Sequence, residues 1–195
     1  MGRWAPGAQG RLEHAAMELY GERGFESTTV VEIAERAGLT ERTFFRHFAD
    51  KREVLFSGAA AFRQFLVAKV DNASDSLPPI EMITGAFGSV ADEFFQERRN
   101  YVRQRQAIIE ANAELQEREL IKLASVASAM ADALRRRGVD DPAAGLAAEA
   151  GMAVFKIAFE QWVHGTGGRS LSEGIRASAD ELRDVTGSRR PAARR

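Results

Sequence analysis

Apolar residues recur along this chain at spacings of three and four over nearly its whole length, and no stretch shows the sustained alternation of a strand. The first stripe, Leu12, Ala15, Ala16, Leu19 and Tyr20, predicts an amphipathic helix that Gly21 weakens and Gly24 ends. Gly24 fits a left-handed cap, after which the Phe25 ring folds back onto the stripe. Thr29 and Glu32 stand at capping-box spacing and open a short second helix whose apolar side is Val30, Ile33, Ala34 and Ala37. Gly38-Leu39-Thr40 then supplies a residue free to take positive φ, an apolar plug and an N-cap for a third helix, Glu41 to about Phe48. Two short helices joined by such a corner make a helix-turn-helix.

Asp50 and Glu53 repeat the capping spacing and predict a long fourth helix carrying Val54, Leu55, Phe62, Phe65, Leu66 and Val70, broken from Asn72 to Pro79. Further helices are expected from Pro79 to Phe95, within Arg98 to Ala113, from Glu114 to Arg137, from Asp141 to His164 and from Leu171 to about Val185. The Glu114–Arg137 segment has a core stripe of Leu120, Leu123, Ala124, Ala127, Met130, Ala131 and Leu134, closed by Gly138. The Asp141–His164 segment carries two apolar faces. One runs Leu146, Ala150, Ala153, Ile157, and the other Met152, Phe155, Phe159, Trp162, which predicts a helix held between its own core and a second surface. Ala150, Gly151 and Ala153 are small enough for close helix approach. A C₂ dimer is therefore expected, with Ala150, Ala153, Ile157, Trp162, Ile175 and Leu182 at its interface.

Composition narrows the function classes. The 195 residues are 45% hydrophobic, enough to bury a core, and contain no cysteine, so neither disulfides nor thiolate metal sites are available. His14, His47 and His164 fit no metal-binding spacing. No cofactor, metal or catalytic group is expected, since no phosphate loop and no readable histidine-carboxylate pairing is present. The absence of a leader-like or spanning apolar run sets the expectation of a cytoplasmic protein without a membrane partner. Residues 1–52 hold eight Lys/Arg and eight Asp/Glu, so only the local order of charges, not bulk charge, can speak for nucleic acid.

That local order is specific. Gly24-Phe25, Thr28-Thr29-Val30, Ile33-Ala34, Ala37-Gly38-Leu39, Thr43-Phe44-Phe45, His47-Phe48 and Lys51-Arg52-Glu53-Val54-Leu55 stand in order and in register. Together they make the segment from Phe25 to Phe56 resemble the DNA-binding domain of the tetracycline-repressor (TetR) family. The resemblance implies an all-α fold. A three-helix helix-turn-helix DNA-binding domain would occupy residues 1–52, and a helical ligand-binding and dimerisation domain residues 53–187. Residues 188–195, with four arginines and a proline, read as a disordered basic tail.

With the third helix in the major groove, Thr40, Glu41, Arg42 and Thr43 lie nearest the base edges. Arg42 has the reach to pair with guanine O6 and N7, and Thr43 to touch a thymine methyl or a phosphate. Thr28 and Thr29 offer hydroxyls and amides to a phosphate, Lys51 adds charge at a helix start, and His47 reaches towards the backbone. Each has a plainer reading, the threonines as helix caps, the cations as solvated charges, and Phe44, Phe45 and Phe48 as core. The family commonly has tyrosine where this chain has Phe45, so that hydroxyl contact is not carried over; the ring packs on sugar or turns inward. Arg3 and Arg11 read either as an arm gripping the backbone or as a solvated terminus.

In relatives a cavity is enclosed by the fourth, fifth, seventh and eighth helices, where this chain has Phe62, Phe65, Phe87, Phe94, Met130, Phe155 and Phe159. These either line a site for an apolar or aromatic effector or simply fill the core. Arg103, Arg105, Gln106 and Lys156 either pair with an anionic group of that ligand or are solvated. The function expected is a ligand-responsive regulator: a homodimeric repressor on a palindromic, double-stranded operator, released by a small molecule. The alternative is a helical ligand carrier or an enzyme without DNA binding.

Overall fold

A computed structural model describes residues 7–187; the expected Arg3 arm and the basic tail at 188–195 lie outside them. The described residues are helical and contain no strand. The helices are α1 (Ala8–Arg23), α2 (Val30–Arg36), α3 (Glu41–His47), α4 (Ala59–Asp71), α5 (Pro79–Val90), α6 (Arg99–Glu110), α7 (Ala113–Arg136), α8 (Asp141–His164) and α9 (Leu171–Thr186).

Two elements depart from the periodic reading. The fourth helix does not start at Asp50. The Asp50 carboxylate accepts from the Arg52 and Glu53 amides at 2.8 and 3.1 Å and caps a short 3₁₀ turn, Glu53–Phe56, and α4 begins only at Ala59. Val54, Leu55 and Phe56 are all buried, and three consecutive side chains span too wide an arc for one face of an α-helix. The fifth helix likewise stops being α-helical at Val90 and widens into a π turn, Ala91–Phe95. That turn sets the Phe95 ring 5.8 Å from Phe159 and 6.1 Å from Trp162. Gly24 does end α1 with a positive φ of 88°, but its ψ of 159° is extended rather than left-handed helical, a conformation open essentially to glycine. Phe25 folds back as expected, edge-on to Tyr20 at 5.2 Å.

The chain divides into two compact units: Met1–Gln64 with Glu97–Val126, and Phe65–Gln96 with Ala127–Arg195. In the first, α1, α2 and α3 share a core of Leu12, Leu19, Ile33, Phe44 and Phe48, extended by Ile109 and Leu115. The α6 residue Gln104 donates to the Met17 carbonyl at 2.9 Å. Arg105 donates to the Leu55 carbonyl at 2.8 Å and pairs with Glu119 at 2.9 Å. The packing therefore groups α6 and the first half of α7 with the helix-turn-helix, which chain order alone does not give. Leu120, expected in the α7 core stripe, is exposed together with Ile121.

In the second unit α8 packs against α5 and α9. At Gly151 a Cβ would stand 2.3 Å from Ile83 Cγ2, so α5 comes close to α8 there. The smallness of Gly151 thus serves a contact within the chain. Among the described residues α8 alone is long and apolar enough to cross a bilayer. Its Met152, Val154, Phe155 and Ala158 are instead buried within the unit's own core.

Candidate nucleic-acid interface

The three-helix arrangement fixes α3 from behind. Phe44 is fully buried, Phe48 nearly so, and their rings lie 5.4 Å apart. Thr40 caps the helix: its hydroxyl accepts from the Thr43 amide at 3.2 Å and shares a 3.0 Å hydrogen bond with the Thr43 hydroxyl. At the corner Gly38 takes φ 64°, and the Leu39 amide donates to the Ala34 carbonyl at 2.8 Å, which sets the angle between α2 and α3. The N-terminus of α2 is closed by a capping box: the Thr29 amide and hydroxyl donate to the Glu32 carboxylate at 2.9 and 2.8 Å, and the Glu32 amide donates back to the Thr29 hydroxyl.

With its inner side so held, α3 turns Glu41, Arg42, Phe45, Arg46 and His47 outward, all exposed, with Thr43 half-buried. Among the described residues neither Arg42 nor Arg46 has a hydrogen-bond or ion-pair partner. Arg46 was not among the expected contacts. It stands four residues after Arg42, one helical turn on along the same face, and that spacing was the signal available for it.

Two expected phosphate contacts are corrected. Thr28 is buried, and its hydroxyl donates to the Gly24 carbonyl at 2.8 Å. Lys51 directs its ammonium to the carbonyls of Phe25, Glu26 and Thr28 at 2.9, 3.1 and 2.9 Å, with the charge 4.5 Å from the Phe25 ring centroid. The cause lies in Tyr20, whose hydroxyl donates to the Lys51 carbonyl at 2.6 Å and draws residue 51 onto the loop between α1 and α2. Burial, helped by the Asp50 carboxylate, pushes the Tyr20 hydroxyl well above the ordinary tyrosine range, so it remains a donor. Thr28 and Lys51 both clamp that loop. Arg105, a candidate for an anionic ligand group, is likewise taken by Leu55 and Glu119 and lies over the Phe56 ring.

Of the aromatic residues read as ligand contacts, the structure brings Phe87, Phe155 and Phe159 together. Phe87 stacks on Phe155 with centroids 4.5 Å apart and planes at 14°, and Phe159 lies 5.6 Å from Phe155. Phe95 and Trp162 complete the cluster. Phe65 and Phe94 form a separate edge-on pair at 5.1 Å, bordered by Lys69, which lies over the Phe65 ring and pairs with Glu93 at 3.3 Å. Met130 is fully buried in the second unit, and Phe62 is half-buried in the first.

The residues read as a dimer interface also separate. On α8, Leu146 (72% exposed) and Ile157 (51%) stand on the surface with Ala153 exposed and Ala150 half-buried between them. On α9, Leu182 is half-buried and Val185 exposed. Trp162 and Ile175 lie inside the chain's own core, so their expected place at a dimer interface is corrected to the core: Trp162 joins the aromatic cluster, and Ile175 is fully enclosed.

Comparison with known proteins interprets this arrangement. Residues 13–57 match the bacterial regulatory proteins of the tetR family, and residues 77–187, more than half of the chain, match the MftR C-terminal domain. The chain belongs to the tetR family of transcriptional regulators. This regulator is 38% identical over 80 residues to the HTH-type transcriptional regulator TcmR of Streptomyces glaucescens, a stretch covering 41% of the chain and 35% of TcmR. It is 34% identical over 80 residues to the HTH-type transcriptional repressor KstR2 of Mycobacterium tuberculosis, covering 40% of each. The chain thus matches well under half the length of these curated relatives. In three dimensions it is similar to SmeT, the repressor of a Stenotrophomonas maltophilia multidrug efflux pump, with a TM-score of 0.61, 19% identity and 94% and 92% of the two chains covered. That likeness establishes a shared fold over nearly the whole regulator.

Proposed function

We propose that this regulator is a homodimeric repressor that binds a palindromic operator through α3 of each protomer and is released by a small, mostly apolar molecule. The observation that carries the reading is the outer face of α3: two guanidiniums, Arg42 and Arg46, with no partner among the described residues, on a helix locked from behind by Phe44 and Phe48. Arg42 pairs with guanine O6 and N7 in the major groove, and Thr40, Glu41 and Thr43 border that contact. Arg46, His47 and Thr29 face the phosphates beside it. The α8 row of exposed Leu146, Ala153 and Ile157 with half-buried Ala150, together with Leu182 on α9, supplies the self-complementary surface of a C₂ pair, whose symmetry the operator mirrors.

Support for a ligand comes from chemistry and from relatives. The Phe87, Phe155 and Phe159 cluster and the Phe65–Phe94 pair offer aromatic faces to an apolar molecule. KstR2 is named a repressor, SmeT forms a complex with triclosan, and the similar Thermus thermophilus FadR forms one with lauroyl-CoA. The helix α4 contributes residues to both compact units, so a ligand that displaces it at Phe65 acts on the segment that also carries Phe62. The effect on operator affinity equals the ligand's preference for the non-binding state and can be no larger.

Selection of bound sequences from a random DNA pool tests the reading. The expected product is a palindrome with half-site centres about 34–36 Å or a multiple of that apart. Enrichment of no sequence, or of an asymmetric one, contradicts it.

A further inference from the structure

The outer face of α3 carries one residue that the DNA-binding reading has not used. Phe45 is 51% exposed, although a phenylalanine in this small domain has a core available to it. Its orientation is held from behind: the buried Phe44 ring meets it edge-on, with centroids 5.5 Å apart and planes at 84°. It stands three residues after Arg42 and four after Glu41, so it lies one turn along the same face. A phenyl ring neither donates to nor accepts from a phosphate oxygen, so a backbone contact by hydrogen bonding is closed to it. In the major groove the one apolar group on a base edge is the C5-methyl of thymine.

We propose that Phe45 is a specificity-determining residue that reads a thymine C5-methyl in each operator half-site, next to the base pair contacted by Arg42. The proposal rests on α3 being the DNA-reading helix. The ring covers the methyl, both lose water, and the discrimination is against any base pair lacking that methyl. Because the contact is made with the methyl alone, thymine and uracil differ in it although they pair identically.

The test uses the full-length protein and the operator obtained by selection. Each thymine of the half-site is replaced in turn by deoxyuridine, and affinity is measured by fluorescence anisotropy for the wild type, Phe45→Ala, Phe45→Tyr and Arg42→Ala. One position is expected at which deoxyuridine weakens wild-type binding about fourfold per half-site, the worth of one buried methyl. That sensitivity disappears in Phe45→Ala and persists in Phe45→Tyr and Arg42→Ala. Circular dichroism shows whether Phe45→Ala retains its helices, and Phe45→Tyr, which keeps the ring, carries the test if it does not: deoxyuridine sensitivity lost in Phe45→Tyr overturns the proposal. So does a half-site with no deoxyuridine-sensitive position, or one whose sensitivity is the same in folded Phe45→Ala. An equal loss on all sequences in Phe45→Ala assigns the ring to the sugar-phosphate backbone instead. If selection enriches no sequence, the reading of α3 as the DNA helix fails as well; an enriched operator without coupling to Phe45 overturns this inference alone.

Discussion

Single side chains on the helix-turn-helix divide, in the reading proposed here, into those that meet DNA and those that hold the unit together, and Arg42 and Lys51 are expected to separate the two jobs. Arg42 is exposed and has no partner among the described residues, so Arg42→Ala is expected to leave stability unchanged, weaken operator binding by about 1–3 kcal/mol and relax the preference at one base pair per half-site. Lys51 has its ammonium in three loop carbonyls. Lys51→Ala is expected to lower unfolding free energy by about 1.5–3 kcal/mol while leaving the salt slope of DNA binding unaltered. Thermal melts and salt titrations of the two variants check both; a shallower salt slope in Lys51→Ala would return that residue to the phosphates. The motif made the position of Lys51 legible in the sequence, but not the direction of its side chain. That direction depends on Tyr20, thirty-one residues away, pulling on its carbonyl. Arg46 was legible by spacing alone, whereas the inward turn of Thr28 was not, because a threonine before an apolar run looks the same whether its hydroxyl faces solvent or the Gly24 carbonyl.

Periodicity marks a helix clearly where one face is buried and poorly where the burial pattern is denser. The span of α8 follows directly from Asp141-Pro142 at its start and Gly165 at its end. The 3₁₀ turn at Glu53–Phe56 was hidden because Val54 and Leu55 fit a helical stripe until Phe56 is known to be buried as well. Small residues on α8 suggest close approach to a second copy of the chain, but Gly151 is used against α5. That gives a paired expectation. A Cβ at Gly151 would stand 2.3 Å from Ile83 Cγ2, so Gly151→Ala should cost about 1–3 kcal/mol through overpacking. At Gly174 the nearest atom is Ala158 Cβ at 3.6 Å, an ordinary contact, so Gly174→Ala should be neutral or stabilising by up to about 1 kcal/mol of helix propensity. Urea unfolding of both variants measures the difference, and equal effects would mean that α5 and α8 do not meet as closely as described.

At the scale of the whole regulator, the two apolar faces of α8 were visible in the sequence, and the structure sorts them into a core face and an exposed one. Ile157 is exposed in the single chain and Trp162 is buried, so the two are expected to fail differently. Ile157→Asp should give a folded monomer by light scattering, because the charge is solvated once the pair separates, whereas Trp162→Asp should unfold the chain by leaving a charge in an aromatic core. An Ile157→Asp dimer would move the interface elsewhere, and a folded Trp162→Asp protein would contradict the placing of Trp162 in the core. What the sequence could not reveal at this scale was the grouping of α6 and half of α7 with the DNA-binding helices, which rests on long-range contacts such as that of Gln104 with Met17. The central claim, that this regulator reads DNA through the outer face of α3, is tested most directly by operator affinity measured over a range of salt concentrations for wild type and Arg42→Ala. The account predicts a steep linear fall of log affinity with log salt in both, with the gap between operator and scrambled DNA reduced in Arg42→Ala. A wild-type protein that bound operator and scrambled DNA equally, or whose gap survived the loss of Arg42 unchanged, would contradict it.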